Sequence, residues 1–399
     1  MDFPKRWVGA AFLLLLFGML VMHFIDRGIE MKASDISGVV HSGPWGELEE
    51  RDIRLEQPME YAGFESVTGS GVSWNFGAMS PASVKELLMK CGCLEEQANG
   101  FLATRKDETG FSLVLNPDEE QLLSLNPQTR SALYLALARI PANRFQAAPY
   151  FIANGDIEIL FDKQFSSNAK AISLMKELVY IRNGFTYFSD PEVVLSHLPS
   201  MNERREFLQS LTSENAVLMR LLIRPNSDID KPLAYWGLTM PRVLHKDLAP
   251  LFEAQRRLPS GGDISLLYLL PPLAREHLFT SPLPPEEGEG KLPDCHWTAL
   301  NFFSDQPDSR MSDSNFASRY IIDHYYEVAR PGIAGDLVLL LNQENLVVHS
   351  AVYLADDVVF TKNGINYANP WLIMHEHDMV GEFSALEPMK VAYFRLRNR

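Results

Sequence analysis

An apolar run near the start of the chain most constrains how this protein can be organised. Residues 7–25 form a stretch of 19 residues in which His23 is the only strongly polar side chain, and charged residues flank it on both sides. A helix of that length nearly spans the roughly 30 Å hydrocarbon layer of a bilayer. Lys5 and Arg6 precede the run, so the positive-inside rule places the N-terminus in the cytoplasm. We therefore predict that residues 1–27 are a signal anchor in the bacterial inner (cytoplasmic) membrane, a single-pass helix with the bulk of the chain in the periplasm or cell exterior.

A cleaved signal peptide is the alternative for the same segment. Residues 21–25, with the sequence VMHFI, contain no small-x-small cleavage pattern. A buried core helix fits poorly, because the run is apolar on every face. The uncleaved anchor is the favoured interpretation.

Charge and cysteine content limit the partners and the chemistry. The chain of 399 residues has 51 acidic and 36 basic side chains, a formal net charge of −15. Such a charge repels a phosphate backbone, so nucleic acid is excluded as a partner. The cysteines are Cys91, Cys93 and Cys295, and an odd number in an exported protein leaves at least one thiol available for chemistry.

The composition changes along the chain and suggests several regions. Residues 28–80 are predicted to be a stalk with short strands, and residues 81–280 a mostly helical domain of unknown role that could dock a protein partner. Residues 281–290 are rich in Pro, Glu and Gly and predict a linker before a final domain at 291–399. Within the helical domain, we expect helices over 81–102, 127–140, 167–181, 191–198, 202–211, 214–223 and 241–258.

The final domain contains a cysteine in a favourable position. Asp294 is a natural N-cap for the apolar pattern that follows it, which would place Cys295 in the first turn of a helix. Unpaired backbone N–H groups and the helix dipole favour an anion there, so the thiol is a candidate nucleophile.

A histidine that could serve as its base follows later in the chain. Residues 331–341 predict a turn leading into a buried strand, residues 347–354 a second strand and residues 358–362 a third. His349 lies inside the otherwise apolar second strand. A neutral imidazole at that position would be useful if the thiol helix packs against the sheet.

The order of these residues resembles a known family. Asp-Cys at a helix start, Gly-Asp-Leu-Val at a strand start around Asp336, and His-x-x-x-Tyr-Leu from His349 before a hairpin resemble the NlpC family of papain-like cysteine peptidases, which cut peptide bonds in bacterial cell-wall stems. The resemblance covers only the C-terminal quarter of the chain. It implies that Cys295 is the nucleophile and that His349 is the general base.

The third residue of the site, which orients the imidazole, belongs on the strand after the hairpin in that family, where a histidine is common. This chain has no histidine on that strand. If the hairpin centres on Asp356, Asn363 lies beside His349, with Thr361 behind it; a turn centred between residues 356 and 357 brings Lys362 to that side instead. Because Asn is an orienter in papain-like sites, Asn363 is the favoured third residue.

One further stretch near the C-terminus contains two histidines. The sequence His375-Glu376-His377-Asp378 lacks the spacing of a helical zinc motif, so no metal site is predicted there. His375 remains an alternative orienter, and no cofactor is expected.

The sequence therefore predicts an α+β protein with three parts. These are an N-terminal transmembrane helix, a mostly helical middle domain, and a C-terminal papain-like domain in which the helix bearing Cys295 packs on an antiparallel sheet. The predicted function is a membrane-anchored cysteine hydrolase that cleaves an amide or peptide bond through a thioester, with cell-wall peptide as the substrate. The alternative is an inactive binding or scaffold protein of the cell envelope, whose helical domain docks a partner. A disulfide-handling role for Cys91 and Cys93 is a third option.

Overall fold

A computed structural model describes residues 38–57, 71–106, 112–158, 160–161, 168–239, 242–283, 292–330 and 332–397. The predicted membrane anchor at 1–27 lies outside these residues, as do parts of the predicted stalk and most of the predicted linker. Within the ranges given, none of the helices has the length and apolar character that crossing a bilayer requires. The described residues from Val40 onward form one compact unit.

Helices and strands are mixed along the whole chain. In its first half the elements are β1 (Val39–Gly43), β2 (Gly46–Leu55), β3 (Trp74–Asn75), α1 (Pro81–Lys90), α2 (Glu95–Ala103), β4 (Arg105–Lys106), β5 (Val114–Leu115), α3 (Glu119–Leu123), α4 (Pro127–Leu137), α5 (Arg144–Ala147), β6 (Tyr150–Ile152), α6 (Ala169–Leu178), β7 (Tyr180–Arg182), β8 (Phe185–Phe188), α7 (Pro191–Ser196) and α8 (Met201–Thr212). In its second half they are β9 (Glu214–Ile223), α9 (Asp230–Trp236), α10 (Arg242–Arg256), β10 (Gly262–Ser265), α11 (Pro272–His277), α12 (Cys295–Leu300), α13 (Ser314–His324), β11 (Tyr325–Val328), β12 (Leu337–Leu341), β13 (Val347–Ala355), β14 (Val358–Lys362), β15 (Trp371–His375), α14 (Glu376–Phe383) and β16 (Lys390–Leu396).

The strands form several antiparallel sheets, which confirms the α+β class. One sheet has the order β1-β2-β9-β10, and the largest has the order β11-β16-β12-β13-β14-β15. Two small sheets, β3-β5-β4 and β6-β8-β7, lie in sequence between β2 and β9. A short connection, such as the one between β13 and β14, allows only antiparallel pairing of the two strands that it joins.

The helix predicted over 214–223 is wrong, because these residues form β9. This strand pairs along its whole length with β2, from Glu214 opposite Leu55 to Leu222 opposite Glu47. Its buried residues follow an approximate alternation, with Ala216 and Leu221 buried and Arg220 exposed. The predicted stalk therefore contains a strand of 10 residues that is paired to the middle of the chain.

The helix predicted over 81–102 is divided into α1 and α2. Ser80 caps α1 by accepting a hydrogen bond from the N–H of Ser83, and Pro81 occupies the first turn, as expected. Gly92, between the two helices, has a φ of +104°, and a Cβ there would lie 2.8 Å from Thr129 Oγ1. A turn that needs this backbone conformation interrupts the helix.

The six-stranded sheet has a different apolar cluster on each face. Val352 and Leu354 of β13 pack in one cluster with Ala299 and Leu300 of α12. Ala351 belongs to the second cluster, on the opposite face. The first cluster also contains side chains of β9, α9 and β10, so the predicted middle and C-terminal regions share a core.

Candidate functional site

Cys295 begins α12, as predicted. Asp294 is the N-cap residue, and its Oδ1 accepts a hydrogen bond of 2.7 Å from the N–H of Trp297. Helix α12 packs against β13 and β14. All three cysteines of the chain are free thiols, and the Cys295 side chain is buried.

The surroundings of the Cys295 sulfur act on its pKa in opposite directions. Burial raises the pKa of Cys295 to about 11, and the nearby carboxylate of Asp294 adds to the rise. The backbone N–H groups of Ser350, His296 and Cys295 face the sulfur and oppose that rise, because they favour the thiolate. The thiol is therefore neutral at pH 7, and these backbone N–H groups would favour its thiolate.

His349 is fully buried in β13, and only one of its ring nitrogens has a hydrogen-bond partner. Its Nε2 lies 2.8 Å from Thr361 Oγ1, and its ring stacks on Phe383 of α14 at 4.2 Å between centroids. Nδ1 has no hydrogen-bond partner among the described residues. Burial, with a smaller contribution from the nearby His296, lowers the pKa of His349 to about 3, so the imidazole is neutral.

The thiol and the imidazole reach β13 from opposite faces. Ser350 Oγ lies 2.7 Å from His296 Nδ1, so Ser350 faces α12. Successive side chains of a strand alternate, which places the His349 ring on the other face, beside α14. Among the described residues, no hydrogen bond joins Cys295 to His349, so the predicted pair is not assembled in this structure.

The two groups nevertheless lie beside the same stretch of β13, residues 347–351, which does not pair with β14. Strands β13 and β14 pair only from Val352 opposite Phe360 to Ala355 opposite Val358. The backbone N–H of Tyr353 donates to the carbonyl of Asp336, on the side of β13 where β12 lies. Because the backbone groups of successive residues point to alternate sides of a strand, the N–H of Ser350 points toward β14. On that side, the Ser350 N–H lowers the pKa of the Cys295 thiol, and Ser350 directly follows His349 in the chain.

Thr361, and not Asn363, contacts the imidazole. Ala355 pairs with Val358, so the turn is centred between residues 356 and 357, but an irregularity between Tyr353 and Ala355 shifts the register. Continuing the pairing of Val352 with Phe360 puts Asn363 opposite His349. However, Asn363 Nδ2 donates to Glu214 Oε2 at 3.2 Å, and that partner comes from β9. Thr361 lies on the same face of the sheet as His349, diagonally across from it. Side chains in this diagonal relation on neighbouring strands can also be in contact.

The alternative orienter and the family-like aspartate lie elsewhere. His375 ends β15, where its Nδ1 lies 3.1 Å from Asp357 Oδ1, and it does not contact His349. Asp336 is buried and accepts two hydrogen bonds from Arg395, at 2.9 and 2.8 Å. Its role is to join β16 to the start of β12.

Residues that the sequence argument did not assign lie around the thiol. Lys362 is fully buried, and its Nζ donates to the carbonyls of Gly364 and Asn366. Burial lowers the pKa of Lys362 to about 8, and the Cys295 thiolate would oppose that shift. The ring of Trp371 lies 5.9 Å from Lys362 Nζ. The alternation of β14 was the signal that could have placed Lys362 on the thiol side.

Comparison of the chain with protein-family models, with curated proteins and with solved structures finds no match. The site is therefore interpreted from its own geometry.

Proposed function

We propose that the protein is a cysteine hydrolase that cleaves an amide or peptide bond, with cell-wall peptide as its substrate class. Residues 7–25 would anchor it in the bacterial inner membrane, and its C-terminal region would have a papain-like arrangement. The observation that carries the proposal is the arrangement of His349. Its Nε2 lies 2.8 Å from Thr361 Oγ1 and its buried Nδ1 has no hydrogen-bond partner among the described residues, and it is next along β13 to Ser350, whose backbone N–H acts on the Cys295 thiol.

This arrangement supports a division of roles. Cys295 is the nucleophile, His349 is the base that removes its proton through Nδ1, and Thr361 is a positioning residue that fixes the ring. Productive contact requires a rearrangement that brings the Cys295 sulfur and His349 Nδ1 together across the stretch where β13 and β14 are not paired. The N–H groups of Cys295 and His296, which already face the sulfur, are placed to stabilise the oxyanion of the acyl intermediate.

The resting protonation states determine the order of steps. The thiol and the imidazole are both neutral, so the S–H proton passes to His349 as sulfur attacks the carbonyl carbon. The imidazolium then protonates the leaving amine, and the acyl group remains on sulfur as a thioester. Water, deprotonated by the same imidazole, hydrolyses the thioester and restores the thiol.

Hydrolysis of cell-wall stem peptides by the purified full chain tests the proposal. We expect release of new amino termini, loss of activity in Cys295→Ala, and a reduction of about 10²–10⁴-fold in kcat for His349→Gln. Thr361→Val should lower kcat with little change in KM. Cys91→Ala is the matched control, since it removes another free thiol, and it should retain full activity.

Hydrolysis that persists in Cys295→Ala would exclude the thiol mechanism. Mass spectrometry supplies a second readout, because a peptide substrate should leave an acyl group on Cys295 that hydroxylamine removes.

The second candidate is a binding or scaffold protein of the cell envelope that keeps the fold without activity. It is favoured by the raised pKa of Cys295 and by the lack of a hydrogen bond to His349 among the described residues. This candidate predicts no hydrolysis by the wild type, together with a large loss of stability in His349→Gln at neutral pH.

A further inference from the structure

A cavity of about 180 Å³ lies where β2, β9 and α14 come together. Strands β2 and β9 give it an apolar surface at Ile53, Ala216 and Val217, and the end of β15 and the first turn of α14 add His375 and Asp378. A cavity of roughly 150 Å³ is enough to hold benzene, so there is room here for a small organic molecule.

The cationic groups that line the cavity already have partners. His375 Nδ1 lies 3.1 Å from Asp357 Oδ1, and its Nε2 lies 3.4 Å from Asp52 Oδ1. The Arg54 guanidinium donates to the side-chain oxygen of Asn215 at 3.0 Å and to two backbone carbonyls near the end of α8. Neither group therefore needs an anion from outside the chain.

Asp378 is the exception among the charged groups of the cavity. It is only 6% exposed, and in the described part of the chain its carboxylate has neither a hydrogen bond nor an ion pair. Burial raises the pKa of Asp378, and the charges of His375 and His377 oppose the rise from a longer distance. A buried carboxylate without a partner is costly, and a bound cation would remove that cost.

The surroundings of Asp378 suit an organic cation better than a metal ion. The described residues contain two groups of three possible metal-ligand atoms within 4.8 Å of one another, and Asp378 belongs to neither group. An ammonium group needs only an acceptor for its N–H donors, which one carboxylate supplies. The hydrocarbon part of such a ligand needs an apolar surface, which Ile53, Ala216 and Val217 provide.

We propose that this cavity is a binding site for a small organic amine, whose ammonium group pairs with the Asp378 carboxylate and whose hydrocarbon stem lies against Ile53 and Val217. The site is separate from the thiol chemistry, because none of Cys295, His349 and Thr361 lines the cavity.

Binding of n-butylamine to the full chain tests this site. Calorimetric titration near neutral pH should show saturable binding of one butylamine per chain. The matched ligand n-butanol has the same stem without the charge, and it should not bind. Asp378→Asn should raise the Kd for butylamine by about 10–100-fold, which is the usual effect of losing a hydrogen bond between charged groups.

Two further variants make the result specific. Asp263→Asn is the matched control, because this exposed carboxylate of β10 lies outside the cavity and pairs with Arg220 at 3.6 Å, so its removal should leave the Kd unchanged. Ala153→Leu narrows the cavity and leaves the Asp378 carboxylate in place, and it should also weaken binding. Circular dichroism shows whether each variant is folded; if Asp378→Asn fails to fold, Ala153→Leu and the comparison with butanol decide.

A wild type that does not bind butylamine would overturn the proposal. Equal affinities for butylamine and butanol would do the same, because the carboxylate would then contribute nothing. Wild-type affinity in folded Asp378→Asn or in Ala153→Leu would place the amine elsewhere on the protein and reject this cavity.

Discussion

Replacing His349 should change how the stability of the protein depends on pH. The folded protein keeps this imidazole neutral, with a pKa of about 3, whereas a histidine in the unfolded chain titrates near 6.5. Between these two values the unfolded chain binds a proton that the folded protein does not. The wild type therefore has its full stability above about pH 6.5 and loses stability as the pH falls toward 3.

The magnitude follows from the difference between the two pKa values. Each pH unit within the window corresponds to about 1.4 kcal/mol, so the folded state loses about 2 kcal/mol from this group between pH 7 and pH 5. His349→Gln removes the titration and keeps an amide that can still reach Thr361. The free energy of unfolding of the wild type minus that of the variant should therefore be about 2 kcal/mol smaller at pH 5 than at pH 7.

Urea unfolding followed by tryptophan fluorescence at pH 7 and pH 5 measures this gap. Other titrating groups are common to both proteins, so their contributions largely cancel in the difference. His324→Gln, at an exposed histidine of α13, is the matched control, and the same shift should be absent there. A wild-type minus His349→Gln difference that is equal at the two pH values would refute the assignment of a neutral, buried imidazole.

Three other predictions follow from individual contacts. Alkylation of Cys295, followed by peptide mass spectrometry, should accelerate about tenfold per pH unit between pH 7 and 9, since only the thiolate reacts and its pKa is about 11; a plateau below pH 8 would contradict this. Arg395→Gln should lower the free energy of unfolding by about 2 kcal/mol, because it leaves the buried Asp336 without its cation, and an unchanged urea midpoint would show that the pair contributes nothing. Tyr134→Phe removes a hydrogen-bond donor to the carboxylate of Asp190, and burial raises the pKa of Asp190 to about 6. The variant should therefore lose more stability at pH 8, where Asp190 is charged, than at pH 5, and equal losses at the two pH values would count against that role.

The local parts of the site could be predicted from sequence, because short-range rules govern them. An aspartate before an apolar helix marks an N-cap, and Asp294 caps α12. Apolar runs separated by turn residues mark strands, and β12, β13 and β14 lie close to their predicted bounds. The hairpin count was right only in part: the turn is centred between residues 356 and 357, and a bulge then brings Val352 opposite Phe360, the register expected for a turn at Asp356.

The remaining errors come from contacts between distant parts of the chain. Residues 214–223 have an apolar pattern that fits either a helix or a strand, and their partner β2 lies far earlier in the sequence. The same strand supplies Glu214, which draws Asn363 away from the imidazole. A hairpin count cannot include such a partner, so it favoured Asn363 over Thr361.

The histidines near the C-terminus illustrate the same point. The sequence groups His375 with His377, but the ring of His377 contacts Phe185 of β8 in a tilted arrangement, with 4.9 Å between the ring centroids. The groups that surround His375 come from β2 and from the β13–β14 turn. The side chains that contact His375 therefore come from distant parts of the sequence and not from its neighbours along the chain.

The position of β16 has a consequence for how the chain is made. This last strand lies between β11 and β12, and it pairs with both. Until it is present, the two strands have no common neighbour, and the edge of β12 remains open to pairing with other chains. The largest sheet thus cannot be completed until β16 has left the ribosome, and nascent chains should depend on protection from aggregation until that moment.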